Sequence, residues 1–328
     1  MKLFNPLYYL FYISFCTLTA QEISKAAPKT YTTLEIKTAN APSIDGNLDD
    51  SIWASVEWGS DFIEVDPDEN TEPSVQTKFK ILYDQKHLYI ALKALDPEPE
   101  TITNRLSRRD GFVGDRINVL IDSYHDLRTG FLFTVTAAGV RGDEFITDNG
   151  DNVDESWNPI WSTKALIDDE GWSAEMKIPL SQLRFSNDSN QLWGLNVTRQ
   201  YFKKNEFSAW NRIPVGTAGW VSEAGELVGL KNIKPQKQIE IQPFIVTKLD
   251  SYEAEAGNPY ADGNDFNLNA GLDAKIGITN DLTLDVTINP DFGQVESDPA
   301  AINLDGFEIF NRDQRPFFVE NKNIFDYR

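Results

Sequence analysis

Soft ligands are almost missing from this chain. Cys16 is the only cysteine, and His87 and His125 are the only histidines. Disulfide scaffolds, zinc fingers, iron–sulfur sites and cysteine-based catalysis are therefore excluded. Positive charge is also scarce: 30 Lys and Arg stand against 51 Asp and Glu, a net charge of −21 over 328 residues. A surface of that sign repels a phosphate backbone, so nucleic acid is not an expected partner. It suits a neutral or cationic partner, or a divalent metal. The sequence contains no GxxxxGK[ST], no GxGxxG after a strand, no HExxH and no GxSxG, and long 3.6-residue periodicity is absent. What is present is enough for a large core or two domains: 41% of residues are hydrophobic and 12% aromatic.

The amino terminus reads as an address. Lys2 gives a positive start, Leu7 to Leu18 form an apolar run, and Ala20 precedes the polar Gln21-Glu22. This pattern predicts a secretory signal peptide over residues 1–20 and an exported protein of the cell envelope. Cys16 follows Phe15, which is bulky where a lipobox needs a small residue, so lipidation is not expected. Residues 21–38 are polar and read as a tether or a short edge strand.

From Ile44 onward the chain alternates with period two. Val75, Thr77, Phe79, Ile81 and Tyr83 face one way while Gln76, Lys78 and Lys80 face the other. The same beat recurs in Leu88–Leu95, Ile117–Ile121, Phe131–Val135, Trp172–Ile178 and Trp193–Val197, with turn clusters between them. Single helical turns are predicted near Leu48–Ala54 and Ser181–Leu183. Short strands separated by turn signals predict an all-β fold, an antiparallel sandwich over residues 39–235. Trp53, Trp172 and Trp193 fall at positions expected to be core.

Beyond Lys234-Pro235-Gln236 the texture changes. Phe266, Leu268, Ala270, Leu272, Ala274, Ile276 and Ile278 alternate with polar residues or Gly. After the turn signal Thr279-Asn280-Asp281, Leu282, Leu284, Val286 and Ile288 continue the beat. A strand of about thirteen residues exceeds the usual globular length and resembles the start of an outer-membrane β-barrel over residues 236–328. The alternative is a long hairpin packed on the sandwich. Three or four strands cannot close a barrel, because an open edge in lipid leaves backbone groups unpaired. A barrel reading thus requires either that the protein continues past Arg328, the favoured expectation, or that the chain pairs with copies of itself.

Two sets of residues are candidates for ligand contact. Asp148, Asp151 and Asp154 surround Gly150 in an acidic loop and are the candidate calcium ligands, although Gly150 breaks the EF-hand register. The alternative for these is a solvated acidic loop. Trp157 and Trp161 flank Asn158-Pro159-Ile160, and Trp210 precedes Asn211-Arg212. Tryptophan faces stack on the C–H side of sugar rings while neighbouring polar groups take the hydroxyls. Trp157, Trp161 and Trp210, with Arg109, Asp110 and Arg212, are therefore the candidate carbohydrate contacts, the alternative for each tryptophan being a place in the core. Fifty-one acids offer too many pairs for any two to stand out as a glycosidase's carboxylates. His87 and His125 lie in turns and read as surface residues.

Several motifs occur in one order. Ile44-Asp45-Gly46-Asn47-Leu48-Asp49-Asp50-Ser51-Ile52-Trp53 resembles the opening of family 9 carbohydrate-binding modules. So do Leu82-Tyr83-Asp84 with Leu88-Tyr89-Ile90, Asp115 to Asp122, and Gly171 to Pro179. The resemblance covers roughly residues 35–235. It implies a β-sandwich that holds a glycan between aromatic faces, often with structural calcium, and that is typically appended to xylan-degrading and related glycosidases. Ser107-Arg108-Arg109-Asp110, Trp157 to Trp161, Leu183-Arg184-Phe185, Asn289 to Glu296 and Arg315 to Asn321 look like an envelope family of uncharacterised function that joins such a module to a carboxy-terminal barrel. That likeness implies outer-membrane anchoring through the C-terminal strands and a role in polysaccharide catabolism. The alternatives are a periplasmic plug or assembly domain without sugar binding, and an O-glycosyl hydrolase component.

Overall fold

The computed structural model describes residues 27–253, 257, 263–279, 282–290 and 316–319. The leader at 1–20, the motif residues 291–296 and most of 315–321 lie outside the described residues.

Alternation between apolar and polar positions produces two facing sheets. The larger one runs in the order β1 (Thr30–Thr32), β14 (Gly225–Val228), β12 (Trp193–Tyr201), β6 (Arg116–Asp122), β7 (Gly130–Thr136), β8 (Arg141–Thr147) and β9 (Asn152–Asp154). β13 (Glu206–Ala209) also pairs with β12 and carries β3 (Ile63–Asp66). The smaller sheet runs β10 (Ser162–Asp168), β11 (Gly171–Pro179), β5 (His87–Leu95), β4 (Thr77–Tyr83) and β2 (Leu34–Glu35). Pairing is antiparallel apart from β1 with β14 and β2 with β4. Thr30–Glu35 thus crosses from one sheet to the other. Of the two readings of residues 21–38, this part takes the edge strand and not the tether.

The register sets the core. Ile117, Val119 and Ile121 of β6, Phe131, Phe133 and Val135 of β7, and Trp193, Leu195 and Val197 of β12 face Phe79, Ile81 and Tyr83 of β4 and Leu88, Ile90 and Leu92 of β5. Each such side chain contributes about 1.5–3 kcal/mol on burial. Trp53, Trp172 and Trp193 are core, as the alternation implied.

A third layer covers the outer face of the smaller sheet. Glu175 of β11 points outward there, fully buried, and its carboxylate takes three donors from the 44–53 segment. Trp53 Nε1 lies at 2.9 Å, and the Asp45 and Gly46 N–H groups at 3.0 and 3.1 Å. Two motifs that stand 130 residues apart in the sequence are thereby one structural clasp. The helical turns fall at Ser51–Ser55 and Leu180–Gln182. Both histidines are half-buried and not plain surface residues. His87 packs beside Asp84 and Tyr89.

After the sandwich, β15 (Ile239–Ser251), β16 (Asn264–Gly277) and β17 (Thr283–Ile288) form a separate antiparallel sheet, followed by one helical turn at Pro316–Val319. In this register Ile239, Ile241, Ile245 and Leu249 share a face with Phe266, Leu268, Leu272 and Ile276, and with Leu284 and Ile288. That face is bare: Ile245 is 73% exposed and Phe266 65%. The long hairpin does not bury its apolar side on the sandwich. β15 is less evident in the sequence because Pro243 and Thr247 sit in its apolar row.

Candidate functional site

The outward side of the larger sheet bears a groove of about 260 Å³. Its floor comes from even-numbered strand positions. Asn118 and Leu120 of β6 lie between Leu132 of β7 and Asn196 and Thr198 of β12. These polar groups are ordered by their own bonds. Asn118 donates to Thr198 Oγ1 at 3.0 Å and accepts from Thr134 at 2.9 Å. Asn196 donates to the Asn211 carbonyl at 3.0 Å and accepts from its N–H at 2.9 Å. Locked side chains of this kind present neutral donors and acceptors at fixed positions, which is how a pocket orients a ligand rich in hydroxyls.

Phe207, Ile213 and Trp220 wall one side of the floor. Trp220 is held by Asn149, a left-handed residue in the acidic loop. The Asn149 carbonyl accepts from Trp220 N at 2.9 Å. Its side chain accepts from Ser222 N at 2.8 Å and donates to the Ala218 carbonyl at 3.0 Å. The indole lies on Gly150, where a Cβ would fall 2.2 Å from Trp220 Nε1. On the β8 side Phe112 lies on Gly142, where a Cβ would fall 2.2 Å from the ring, and the Arg116 guanidinium sits 5.5 Å from that ring's centroid. Gly142 is the partner of Thr134, so Phe112 borders the same row of floor residues. Glu144, opposite Leu132, joins this face. Burial pushes the Glu144 carboxyl above its usual range, and nearby Glu155 and Asp110 add to the effect. Burial lowers Arg116 from its ordinary value, and Glu144 opposes that shift.

The candidates chosen from sequence prove to be braces for this site. Asp110 has φ +63°, and its carboxylate accepts from the Asp143 N–H at 3.1 Å, tying the loop that carries Phe112 to β8. Arg109 reaches Asp143 at 2.5 Å and the Pro159 carbonyl at 3.0 Å. Asp143 faces inward and also accepts from Trp161 Nε1 at 2.8 Å. Burial raises the Asp143 carboxyl, against the pull of Trp161 and Arg109. Arg212 pairs with Glu69 at 3.2 Å, and Glu69 takes the Val215 N–H at 3.1 Å, fixing the loop that leads to Trp220.

The stacking role assigned to two tryptophans is corrected by burial. Trp161 is 2% exposed, with its ring against Phe133, and Trp210 is 4% exposed, edge-on to Phe79 and Tyr31. No sugar ring reaches either face. Trp157 is half-buried against Phe131 and Phe133, on the inward side of β7 and away from the groove. The three candidate calcium ligands are not gathered at one point. Asp148 pairs with Arg128 at 3.2 Å and Asp154 caps the Ser156 N–H at 2.9 Å, so the two carboxylates serve different partners. Asp151 has no ligand group gathered around it: among the described residues no three His, Cys, Asp or Glu side chains converge as metal ligands do. Phe112 and Trp220 were overlooked. Their signal was a glycine-rich surround, Gly111-Phe112 with Gly114, and Gly216 with Gly219-Trp220, in which an aromatic ring stands unsupported by strand alternation.

A two-sheet sandwich with an aromatic-walled, amide-floored groove on one outer face is the build of a ligand-binding β module. The chain belongs to the carbohydrate family 9 binding domain-like family, which matches residues 44–224. Residues 235–327 match a domain family of unknown function, DUF5916. Among solved structures, the chain is similar to a family 9 carbohydrate-binding module from Caldicellulosiruptor kristjanssonii. The complex with glucose shares 19% identity over 63% of this chain and 97% of that one, at a TM-score of 0.45. The complex with cellotriose shares 19% identity over 63% and 95%, at 0.46. No curated protein matches the chain.

Proposed function

We propose that the sandwich binds carbohydrate in the groove between Phe112 and Trp220, and that it does so without chemistry of its own. The observation that carries this reading is the pairing of two glycine-seated aromatic rings with a largely apolar floor in which a few uncharged polar side chains are held in fixed positions. Rings meet the C–H faces of a sugar, and Asn118, with Thr198 beside it, meets its hydroxyls, while buried Asn196 holds the Asn211 backbone beneath them. The family to which residues 44–224 belong supports the ligand class. On this reading the glycan is a neutral polysaccharide of xylan or cellulose type, and the protein is an exported envelope component serving its breakdown. Titration calorimetry of the full chain with xylo- and cello-oligosaccharides tests it. Trp220→Ala should abolish saturable heat and leave the far-UV spectrum and the thermal melt close to the parent's. Trp161→Ala should instead lower stability by about 3–5 kcal/mol through the cavity it leaves. Binding that survives Trp220→Ala and Phe112→Ala would overturn the assignment.

A second reading concerns the C-terminal sheet. The bare apolar face of β15–β17 favours lipid as its neighbour, and with it outer-membrane anchoring. The opposite, polar face meets the sandwich: Gln182 donates to Glu240 at 2.8 Å and Arg184 to Thr283 Oγ1 at 3.3 Å. That contact favours a plug-like placement of the sandwich, and such a placement is compatible with sugar binding in the groove.

A further inference from the structure

Trp58 is the most exposed tryptophan of the chain, at 37%, and it stands on the side of the sandwich opposite the groove. Its position is fixed. Gly59 pairs with Phe79 through two backbone bonds of 2.8 and 3.0 Å, and the missing Cβ leaves room for the Phe79 ring at 2.4 Å. That bridge brings Trp58 beside Lys80, whose ammonium lies 4.7 Å from the indole centroid and donates to the Trp53 carbonyl at 2.5 Å. Lys80 is only 7% exposed, and burial lowers its pKa. The indole is thus an anchored platform, one face resting on a cation.

Beside it, between the covering segment and the outer face of the smaller sheet, opens a cleft of about 490 Å³ lined by Asn47, Asp49, Trp58, Lys78 and Lys93, and by the Asp168 and Glu170 carboxylates. Lys78 and Lys93 are direct partners across β4 and β5. Like charges placed opposite each other destabilise a sheet unless each is answered. Lys93 is answered by Asp168 at 2.6 Å and Glu170 at 3.2 Å. Lys78, half-buried, has no acceptor among the described residues. Three lysines thus gather on one face of a molecule in which acids outnumber bases 51 to 30, and one of them is left for something else to satisfy.

We propose that this cleft is a second glycan site, for a sugar that carries a carboxylate. The ring would lie on Trp58, the acid group on Lys78, and the hydroxyls against Asn47 and Asp49. The groove's cation, Arg116, is opposed by Glu144, whereas Lys78 has no acceptor of its own among the described residues, so the two sites differ in ligand charge. This assignment does not require the groove to be a sugar site.

The test uses the full chain carrying Trp220→Ala, which silences the groove, titrated calorimetrically with trigalacturonate and with cellotriose. Trigalacturonate should still bind. Its affinity should fall at least tenfold with Trp58→Ala or Lys78→Gln, recover with Lys78→Arg, and weaken as salt is raised. Both residues are partly exposed, so the variants should keep the parent's far-UV spectrum and thermal melt. Absence of trigalacturonate binding in the unmodified chain would overturn the proposal. So would its loss with Trp220→Ala alone, or its indifference to Trp58→Ala and Lys78→Gln. Cellotriose binding of equal strength in the Trp220→Ala background would overturn the acid specificity.

Discussion

Asp84 illustrates how single carboxylates hold this molecule's turns. It is 1% exposed, yet its Oδ1 accepts the Lys86 and His87 N–H groups, each at 2.7 Å, and its Oδ2 accepts from Tyr89 at 3.1 Å. Burial alone would raise its pKa, but the N–H groups of Lys86 and His87 and the Thr38 hydroxyl outweigh it, so the carboxyl sits below its ordinary value. A depressed folded-state pKa gives stability that is present above the unfolded value and lost as pH falls through the folded one. Asp84→Asn should therefore cost about 2 kcal/mol at pH 7, the scale of charged hydrogen bonds. The gap between variant and parent should begin to narrow below about pH 4 and go on shrinking as pH falls through the lower folded-state value. Denaturant melts at pH 7 and pH 3 check this, and a gap that stays constant would refute the charge-based account. The same residue shows what sequence makes legible. Asp84-Gln85-Lys86 reads as a turn because turn chemistry is local. The partner of Glu175, 130 residues away, is set by tertiary packing and has no local mark.

At the scale of elements, alternation revealed the six long central strands of the sandwich, β4 to β7, β11 and β12, because one face of each is buried and period two records that; the shorter and edge strands such as β3, β8 and β13 left no such mark. It could not reveal which loops supply the site. Arg109, Asp110, Arg212 and the acidic loop drew attention as charged or polar residues near aromatics. They are near aromatics because they fasten the loops that carry Phe112 and Trp220. The faces themselves rest on glycines. Gly142 lies within β8 with no positive φ, so Gly142→Ala is tolerated by the backbone, and its new Cβ would meet the end of the Phe112 ring. The ring can swing away, at little cost to the fold and at the expense of the groove's wall. Gly142→Ala should weaken oligosaccharide binding tenfold or more and move Tm by no more than a few degrees. Calorimetry paired with thermal melts separates the two effects, and a large drop in Tm with unchanged affinity would show that Phe112 is packing only.

On the scale of the whole molecule, the C-terminal sheet has a surface that a globular fold does not leave uncovered. Its two long strands have 13 and 14 residues, each about 45 Å long when extended, which is length enough to cross a hydrocarbon layer on a tilt. Most apolar positions of one face are open, Ile239, Ile241, Ile245, Leu249, Phe266 and Leu268 among them, while Glu240, Asp273, Lys275 and Asp285 occupy the other. Contiguous apolar surface of this kind marks a membrane or a partner interface, and the one-sided alternation matches lipid against a polar interior. Placing lysine on the open face should then be costly by about 2–4 kcal/mol per residue at the bilayer midplane. The full chain should float with phospholipid vesicles, and Ile241→Lys with Ile245→Lys should release it, whereas Asp273→Lys on the opposite face should not. Flotation unchanged by the paired lysines would assign the face to a protein neighbour, and the sandwich would then be carried by an assembly and not by lipid.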